Sequence, residues 1–173
     1  MFVELLKRRR STRVFLKKAV EKSKIDYLIE CALLAPSSRS RRPWEFVIVD
    51  DPNLLAQLAT CREHGSSFLT NAPLGIVVVA DPDKCDVWIE DASIVAIFLQ
   101  LAAESIGLGS CWIQVRKRFK SDGEQAEDYI KKLLNVPNEY HVECIIAVGY
   151  KEELTDIQSE DYKLLEKVHY NKY

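Results

Sequence analysis

Residues 88–115, WIEDASIVAIFLQLAAESIGLGSCWIQV, join the most apolar stretch of the chain to a glycine turn and a second apolar run. The part from Trp88 to Ile106 is apolar nearly all round, which predicts a helix covered on most sides, inside a core or at an obligate interface. Gly107 and Gly109 bracket its end, and residues 110–115 predict a strand. A central helix that leads directly into a strand therefore organises the predicted fold.

Apolar runs on both sides of this segment predict three more strands and four more helices. Strands are expected at 46–49, 75–80 and 144–150, and helices at 2–10, 24–34, 53–61 and 124–134. Ser23 is expected to cap the second helix, with Asp26 approximating a capping box. Asp51-Pro52 is a strong start for the third helix. Strands that alternate with helices indicate an α/β or α+β sandwich.

The length of 173 residues suits one domain, and we find no internal repeat and no linker. We therefore expect a single domain over residues 1–173. From about residue 151 the chain is a charged, aromatic tail that must dock on something, such as a partner subunit. No signal peptide is evident, and the longest apolar segment, Ile94 to Ala103, is too short to span a bilayer. We expect no membrane partner.

The cysteines and histidines indicate no metal site and no redox dithiol. The five cysteines contain no C-x-x-C pair and lie in or beside apolar stretches: Cys31, Cys61, Cys85, Cys111 and Cys144. We interpret them as reduced thiols in a cytoplasmic protein. The three histidines show no metal-ligand spacing, and no G-x-S-x-G motif is present. What remains is typical of an enzyme whose cofactor does the chemistry.

The charges of the chain are distributed unevenly. Residues 1–42 carry 12 Lys or Arg and 4 acidic residues, so this segment has a net charge of +8 and the rest has −10. A basic end on an otherwise acidic chain favours an anionic partner. Composition leaves open whether that partner is a nucleic acid or a bound phosphate compound.

Two motifs concentrate this positive charge. Residues 8–13, RRRSTR, follow the first predicted helix and offer guanidinium forks and a hydroxyl that suit a phosphate. The alternative is a solvated helix end, where cations also interact favourably with the helix dipole. Residues 35–44, APSSRSRRPW, lie between a helix and a buried strand and either approach a flat ligand or form an ordinary connector. Three arginines within four residues weigh against the connector.

Taken in order, the motifs of this chain resemble those of the FMN-dependent nitroreductase family. The matching pieces are RRSTRVF at 9–15, APSS at 35–38 continuing to PWEF at 43–46, Ala72-Pro73, Asp91, LAA at 101–103, GLGSCW at 107–112, Val136-Pro137 and VGY at 148–150. The resemblance implies an α+β three-layer sandwich, a central mixed sheet flanked by helices. It also implies a homodimer with FMN at the interface. NADH or NADPH would supply electrons, which pass to a small organic acceptor such as a nitroaromatic or a quinone.

The resemblance also assigns roles to individual residues. Arg9, Arg10 and Ser11 correspond to phosphate and ribityl contacts, Arg13 to a cation near the pyrimidine end of the flavin, and Pro36, Ser37 and Ser38 to a loop that reaches the flavin from the other subunit. Ile113 and Gln114 correspond to the segment whose backbone faces the ring and its N5 edge, and Lys163 to a late phosphate contact. Arg42 stands where the family often has Gln, and is also expected to donate to the flavin. No essential side-chain acid or base is expected.

Three alternatives remain open at this point. A basic module that binds anions or nucleic acid would explain the charged start but not the proline-serine loop, so we expect no nucleic acid. A carrier or sensor would bind FMN without turnover. A flavin dehydrogenase for a cyclic or peptide substrate would run similar chemistry in the opposite direction.

Overall fold

The structure is a computed structural model that describes residues 2–152 and 164–173. Its helices are α1 (Phe2–Arg8), α2 (Lys22–Leu33), α3 (Pro52–Leu58), α4 (Trp88–Ser105) and α5 (Ala126–Leu134). Its strands are β1 (Trp44–Val49), β2 (Leu74–Ala80), β3 (Gly109–Gln114) and β4 (His141–Gly149). Each of these nine elements was predicted from the sequence, with ends that shift by a few residues.

The four strands form one sheet in the order β1-β2-β4-β3, and all three pairings are antiparallel. In the part of the chain that the structure describes, parallel pairing is limited to an isolated bridge between Ser11 and Ser110. The mixed character expected of the sheet therefore rests on this bridge alone. The bridge matters for the site, because it places the N-terminal segment against β3, an outer strand of the sheet.

Helices cover both faces of the sheet, which confirms the three-layer α+β sandwich. On one face, Leu28 of α2 and Val95 and Leu99 of α4 pack in a core with side chains of β2 and β4. On the other face, Leu58 of α3 and Ile130 of α5 pack in a second core. Because β2 is covered on both faces, every one of its residues is buried, as its continuous run of apolar residues indicates.

The predicted start of α3 at Asp51-Pro52 was right, and the predicted N-cap of α2 was wrong. The Asp51 side chain accepts hydrogen bonds from the backbone N–H groups of Asn53 (2.7 Å) and Leu54 (3.0 Å). Ser23, in contrast, lies inside α2, whose N-cap is Glu21. The helix starts earlier because Lys22 is one turn before Asp26, and their side chains form an ion pair at 2.7 Å.

Helix α4 is the longest element and positions both parts of the candidate site. Its 18 residues span about 27 Å at the usual helical rise. Two carboxyl side chains are buried in it, Asp91 near its start and Glu104 near its end. In the described residues no helix has both the length and the apolarity needed to cross a bilayer.

All five cysteines lie within the described residues and are free thiols. Burial raises the pKa of Cys61 to about 11, and it also raises the pKa values of Cys111 and Cys144. Such thiols are poor nucleophiles at neutral pH. No group of three His, Cys, Asp or Glu side chains among residues 2–152 and 164–173 is arranged to hold a metal ion.

Candidate functional site

The arginine-rich segment that follows α1 lies along the outer edge of β3. The backbone N–H of Thr12 donates to the Ser110 carbonyl at 2.9 Å, next to the Ser11–Ser110 bridge. A Cβ atom added at Gly109 would lie 2.5 Å from Thr12 Oγ1, which is closer than real Cβ contacts come. Gly109 therefore permits this close approach, whereas Gly107, with a φ of +77°, provides the left-handed turn after α4.

Three of the predicted cofactor-binding residues converge beside Cys111 of β3. Burial raises the pKa of this thiol, and Arg13, Ser11 and Arg9 each oppose the rise. Ser11 forms a side-chain hydrogen bond with this thiol, and the charges of Arg13 and Arg9 act on it, so the three side chains lie near Cys111. Ile113 and Gln114 follow two and three residues further along β3.

The cations of this segment are available to a ligand. Within the described residues, the guanidinium groups of Arg9, Arg10 and Arg13 form no hydrogen bond and no ion pair, and Arg13 lies over the Phe68 ring at 6.0 Å. The Ser11 side chain is exposed beside them. Unpaired guanidinium forks next to a hydroxyl form a donor set that fits a phosphate group.

Arg8, which is the last residue of α1 and the first of the arginine-rich segment, has a different role from the other arginines. Its Nε lies 3.6 Å from Glu104, whose carboxylate is also paired with Lys151 Nζ at 2.6 Å. The ion pair joins α1, the end of α4 and the residues after β4, and it holds the start of the arginine-rich segment. Sequence reasoning missed it, although a glutamate inside a nearly all-apolar helix is a signal of a buried partner.

Gln114 is held on both sides at the end of β3. Trp112 Nε1 donates to Gln114 Oε1 at 2.9 Å, and Gln114 Nε2 donates to the Arg116 carbonyl at 3.1 Å. Arg62 donates to the Gln114 carbonyl at 3.2 Å. The Ile113 side chain is fully buried in the core under the sheet, so only its backbone is available to a ligand. No signal in the sequence connects Arg62 with β3.

The proline-serine loop lies at the other end of α4. The backbone N–H of Ser38 donates to Asp91 Oδ1 at 2.9 Å, and Cys85 Sγ donates to Asp91 Oδ2 at 3.3 Å. The Ser37 hydroxyl accepts from the backbone N–H of Arg42 at 2.9 Å. Asp91, which is 3% exposed, therefore fixes the loop to the start of the helix.

The backbone of this loop is strained. Arg39, Ser40 and Arg42 have φ values of +51°, +55° and +48°, in the left-handed region that favours glycine. Strain of this kind costs free energy and is concentrated at functional sites. Within the described residues the guanidinium of Arg42 forms no hydrogen bond or ion pair.

One copy of the chain does not bring the two parts of the predicted site together. Asp91 anchors the loop with Pro36, Ser37 and Ser38, and Glu104 anchors the segment that begins at Arg8. These two carboxyl groups are thirteen positions apart on α4, which corresponds to about 20 Å. Lys163, the last predicted contact, lies outside the described residues.

Fold and site together define an α+β sandwich with an arginine-rich segment laid along one edge of its sheet. The model of the Nitroreductase family matches residues 6–64 and 60–150. The chain therefore belongs to the nitroreductase family.

Several relatives resemble the chain over nearly its whole length. The solved structure of an FMN-dependent nitroreductase from Clostridium difficile R20291 is 49% identical, with a TM-score of 0.96 and 99% of each chain covered. A protein of Archaeoglobus fulgidus, provisionally named NADH dehydrogenase/NAD(P)H nitroreductase, is 30% identical over 99% of this chain and 98% of its own. An iodotyrosine deiodinase from Thermotoga neapolitana is 27% identical over 88% of this chain and 90% of its own.

Proposed function

We propose that the protein is an FMN-dependent oxidoreductase that takes electrons from NADH or NADPH and passes them to a small organic acceptor such as a nitroaromatic or a quinone. The observation that carries this proposal is the group of unpaired arginines, with Ser11, gathered along β3. FMN supplies the electron-transfer chemistry when bound. The family match and the FMN-dependent relative support the choice of cofactor.

Arg9, Arg10 and Ser11 bind the phosphate and the ribityl chain. A phosphate dianion needs several converging donors, and the guanidinium groups of Arg9 and Arg10 have no other partner among the described residues. Arg13 lies two residues beyond Ser11 and would hold a cation beside the pyrimidine end of the flavin. A cation there favours the negative charge that the ring gains on reduction.

Ile113 and Gln114 present the end of β3 to the ring. The hydrogen bonds of Gln114 with Trp112 and Arg116 fix its side chain, and the bond from Arg62 fixes its carbonyl. A segment held in this way needs little reorganisation when the ligand binds. No side-chain acid or base is required at this position, since the cofactor carries the chemistry.

The complete site is formed by a homodimer. The loop with Pro36, Ser37, Ser38 and Arg42 and the arginine-rich segment of the same chain are anchored at positions about 20 Å apart on α4. We therefore expect the loop to reach the flavin of the other copy. Two groups of exposed apolar side chains support an extensive interface. One lies on α1, α2 and α4 and includes Phe2, Val3, Leu33, Ile94 and Ile97, and the other lies in the tail and includes Leu165 and Tyr170. Apolar surface of this extent is typical of protein interfaces.

The spectrum of the purified full-length protein tests this proposal. We expect a yellow protein that NADH or NADPH bleaches under nitrogen and that a nitroaromatic, a quinone or iodotyrosine reoxidises. Iodotyrosine belongs in the panel because of the deiodinase relative. A yellow protein that neither nicotinamide reduces would be a carrier or sensor, and a colourless protein that FMN does not reconstitute would contradict the proposal.

Substitution of Arg13 tests the role of the arginine-rich segment. We expect Arg13→Ala to weaken FMN binding about tenfold and to slow reduction by the nicotinamide, because one unpaired cation is lost beside the ring. Fluorescence titration measures the affinity, and stopped-flow absorbance of the flavin-loaded variant measures the rate. Arg118→Ala, which removes an exposed arginine elsewhere on the surface, is the control. Unchanged reduction in flavin-loaded Arg13→Ala would exclude the role.

A further inference from the structure

Glu143 occupies a special position in β4. The pairing of β2 with β4 passes from Val78–Cys144 to Val79–Val142, so Glu143 is the extra residue of a β-bulge. A bulge turns a side chain away from the regular alternation of the strand, and bulges are frequent next to functional sites.

The backbone of Glu143 supports the end of β3. Its carbonyl accepts hydrogen bonds from the backbone N–H groups of Val115 (3.3 Å) and Arg116 (3.2 Å). These two residues follow Gln114 directly. The bulge therefore holds the part of the chain that the proposed function places against the flavin.

The carboxyl group of Glu143 is buried and incompletely paired. The residue is 4% exposed, and its Oε2 atom has no hydrogen-bond partner. Burial raises the pKa of this carboxyl, and the Arg116 guanidinium and the Gln114 side chain only partly oppose the rise. An ionised carboxylate with a bare oxygen costs more free energy in such a place than a neutral carboxyl does.

Acidic groups on two neighbouring helices add to the effect of burial on the pKa of Glu143. Glu127 of α5 and Glu90 of α4 both raise the pKa of Glu143. Glu127 in turn accepts from His141, with Nδ1 and Oε1 2.7 Å apart, and from the backbone N–H of Val142 at 3.2 Å. The pKa of Glu143 is thus lowered by one cation, Arg116, and raised by two acidic groups, Glu127 and Glu90.

We propose that Glu143 is a positioning residue that keeps an uncharged carboxyl next to Gln114, and that its ionisation lowers the reduction potential of bound FMN. The inference rests on the proposed function, because it needs FMN beside the end of β3. A negative charge at this position disfavours the negative charge that the ring gains on reduction. It also attracts the side chains of Arg116 and Gln114. The neutral carboxyl leaves both in place.

The reduction potential of the flavin-loaded protein, measured against pH with a reference dye, tests the inference. Glu143→Gln keeps the shape and removes the titration. We expect the wild-type potential to fall below that of Glu143→Gln on the alkaline side, by about 30 mV, which corresponds to a tenfold change in the relative affinity for reduced and oxidised FMN. Glu90→Gln, which removes an exposed acidic neighbour, should move this divergence to lower pH. Parallel curves for wild type and Glu143→Gln would overturn the inference.

The pH dependence of the melting temperature shows whether a negative result contradicts this inference or the proposed function. The neutral form of Glu143 is favoured in the fold, so its contribution to stability is complete below the ordinary carboxyl pKa and is lost as the pH rises through the raised value. We therefore expect the melting temperature of the wild-type protein to fall as the pH rises through this range. The melting temperature of Glu143→Gln should not show this fall. If FMN binds and the fall is present while the potentials stay parallel, the proposed function stands and the inference fails. If no FMN binds, both fail.

Discussion

The two ends of α4 stabilise a buried carboxylate in different ways. Asp91 accepts from a backbone N–H and a thiol, and it forms no ion pair with any residue that the structure describes. Glu104 is paired with Lys151 and Arg8. The first arrangement fixes a strained loop through hydrogen bonds, and the second joins three separate elements through charge. One helix therefore anchors two segments of the chain by different interactions, the loop through hydrogen bonds and the arginine-rich segment through an ion pair.

Removal of the charge at the Glu104 end should have the largest effect. We expect Glu104→Gln to lower the free energy of unfolding by about 3 kcal/mol, because the Lys151 side chain, which is only 13% exposed, loses its charged partner. Urea denaturation measures the change. Asp26→Asn, which breaks an exposed ion pair with Lys22 on α2, is the control and should change the stability little. A similar loss in both variants would refute the distinction between buried and exposed pairs.

The close contact between Gly109 and Thr12, which lies near the Glu104 end of α4, can be tested by adding one methyl group at Gly109. Gly109→Ala puts a Cβ atom 2.5 Å from Thr12 Oγ1. We expect a loss of about 2 kcal/mol of stability from overpacking, together with weaker FMN binding because the arginine-rich segment is displaced. Thr12→Gly in the same chain removes the clash and should restore part of the FMN affinity in a fluorescence titration. Absence of any rescue would show that the contact does not set the position of the segment.

At the other end of α4, substitution of Asp91 tests the hydrogen bonds that hold the proline-serine loop. Asp91→Ala leaves the Ser38 N–H without its acceptor, which should cost about 1.5 kcal/mol of stability. FMN binding should weaken as well, since the loop loses its anchor. Asp91→Asn keeps an acceptor oxygen and is the matched control. If chemical denaturation and FMN titration give the same values for both variants, charge rather than hydrogen bonding holds the loop.

The smallest expected effect concerns acid stability near Lys151. The Tyr150 hydroxyl bonds to Glu21 and, with a smaller contribution from Lys18, lowers the pKa of Glu21 to about 2. Because the folded-state pKa is depressed, the stabilisation is present above the ordinary carboxyl pKa and is lost as the pH falls through about 2. Tyr150→Phe should therefore flatten the pH dependence of the melting temperature between about 4.5 and 2. An unchanged profile would argue against the bond.

Much of the fold could be predicted because its signals are local. The all-round apolarity of residues 88–106 and the Asp51-Pro52 start depend only on neighbouring residues, and both predictions were confirmed. The ordered motifs were sufficient for the family. The Ser23 cap was wrong because it ignored the Lys22–Asp26 pair, which extends α2 at its start.

The parts of the site that could not be predicted depend on tertiary contacts. Arg62 is 52 residues from Gln114 in sequence, and the bulge at Glu143 is visible only when β4 is paired with β2. The contact between Thr12 and Gly109 likewise requires the two segments to be packed together. The assignment of roles to the arginines, to the proline-serine loop and to Gln114 stays a prediction.

The length of α4 has a genetic consequence in the proposed homodimer. Each copy gives its arginine-rich segment to one flavin and its loop to the other, because about 20 Å of helix separates them. A chain damaged only at Gly109 and a chain damaged only at Asp91 therefore complement each other. Their mixed dimer contains one site with both lesions and one site with none. Random pairing makes half of the dimers mixed, so the two damaged alleles together yield about a quarter of the normal sites.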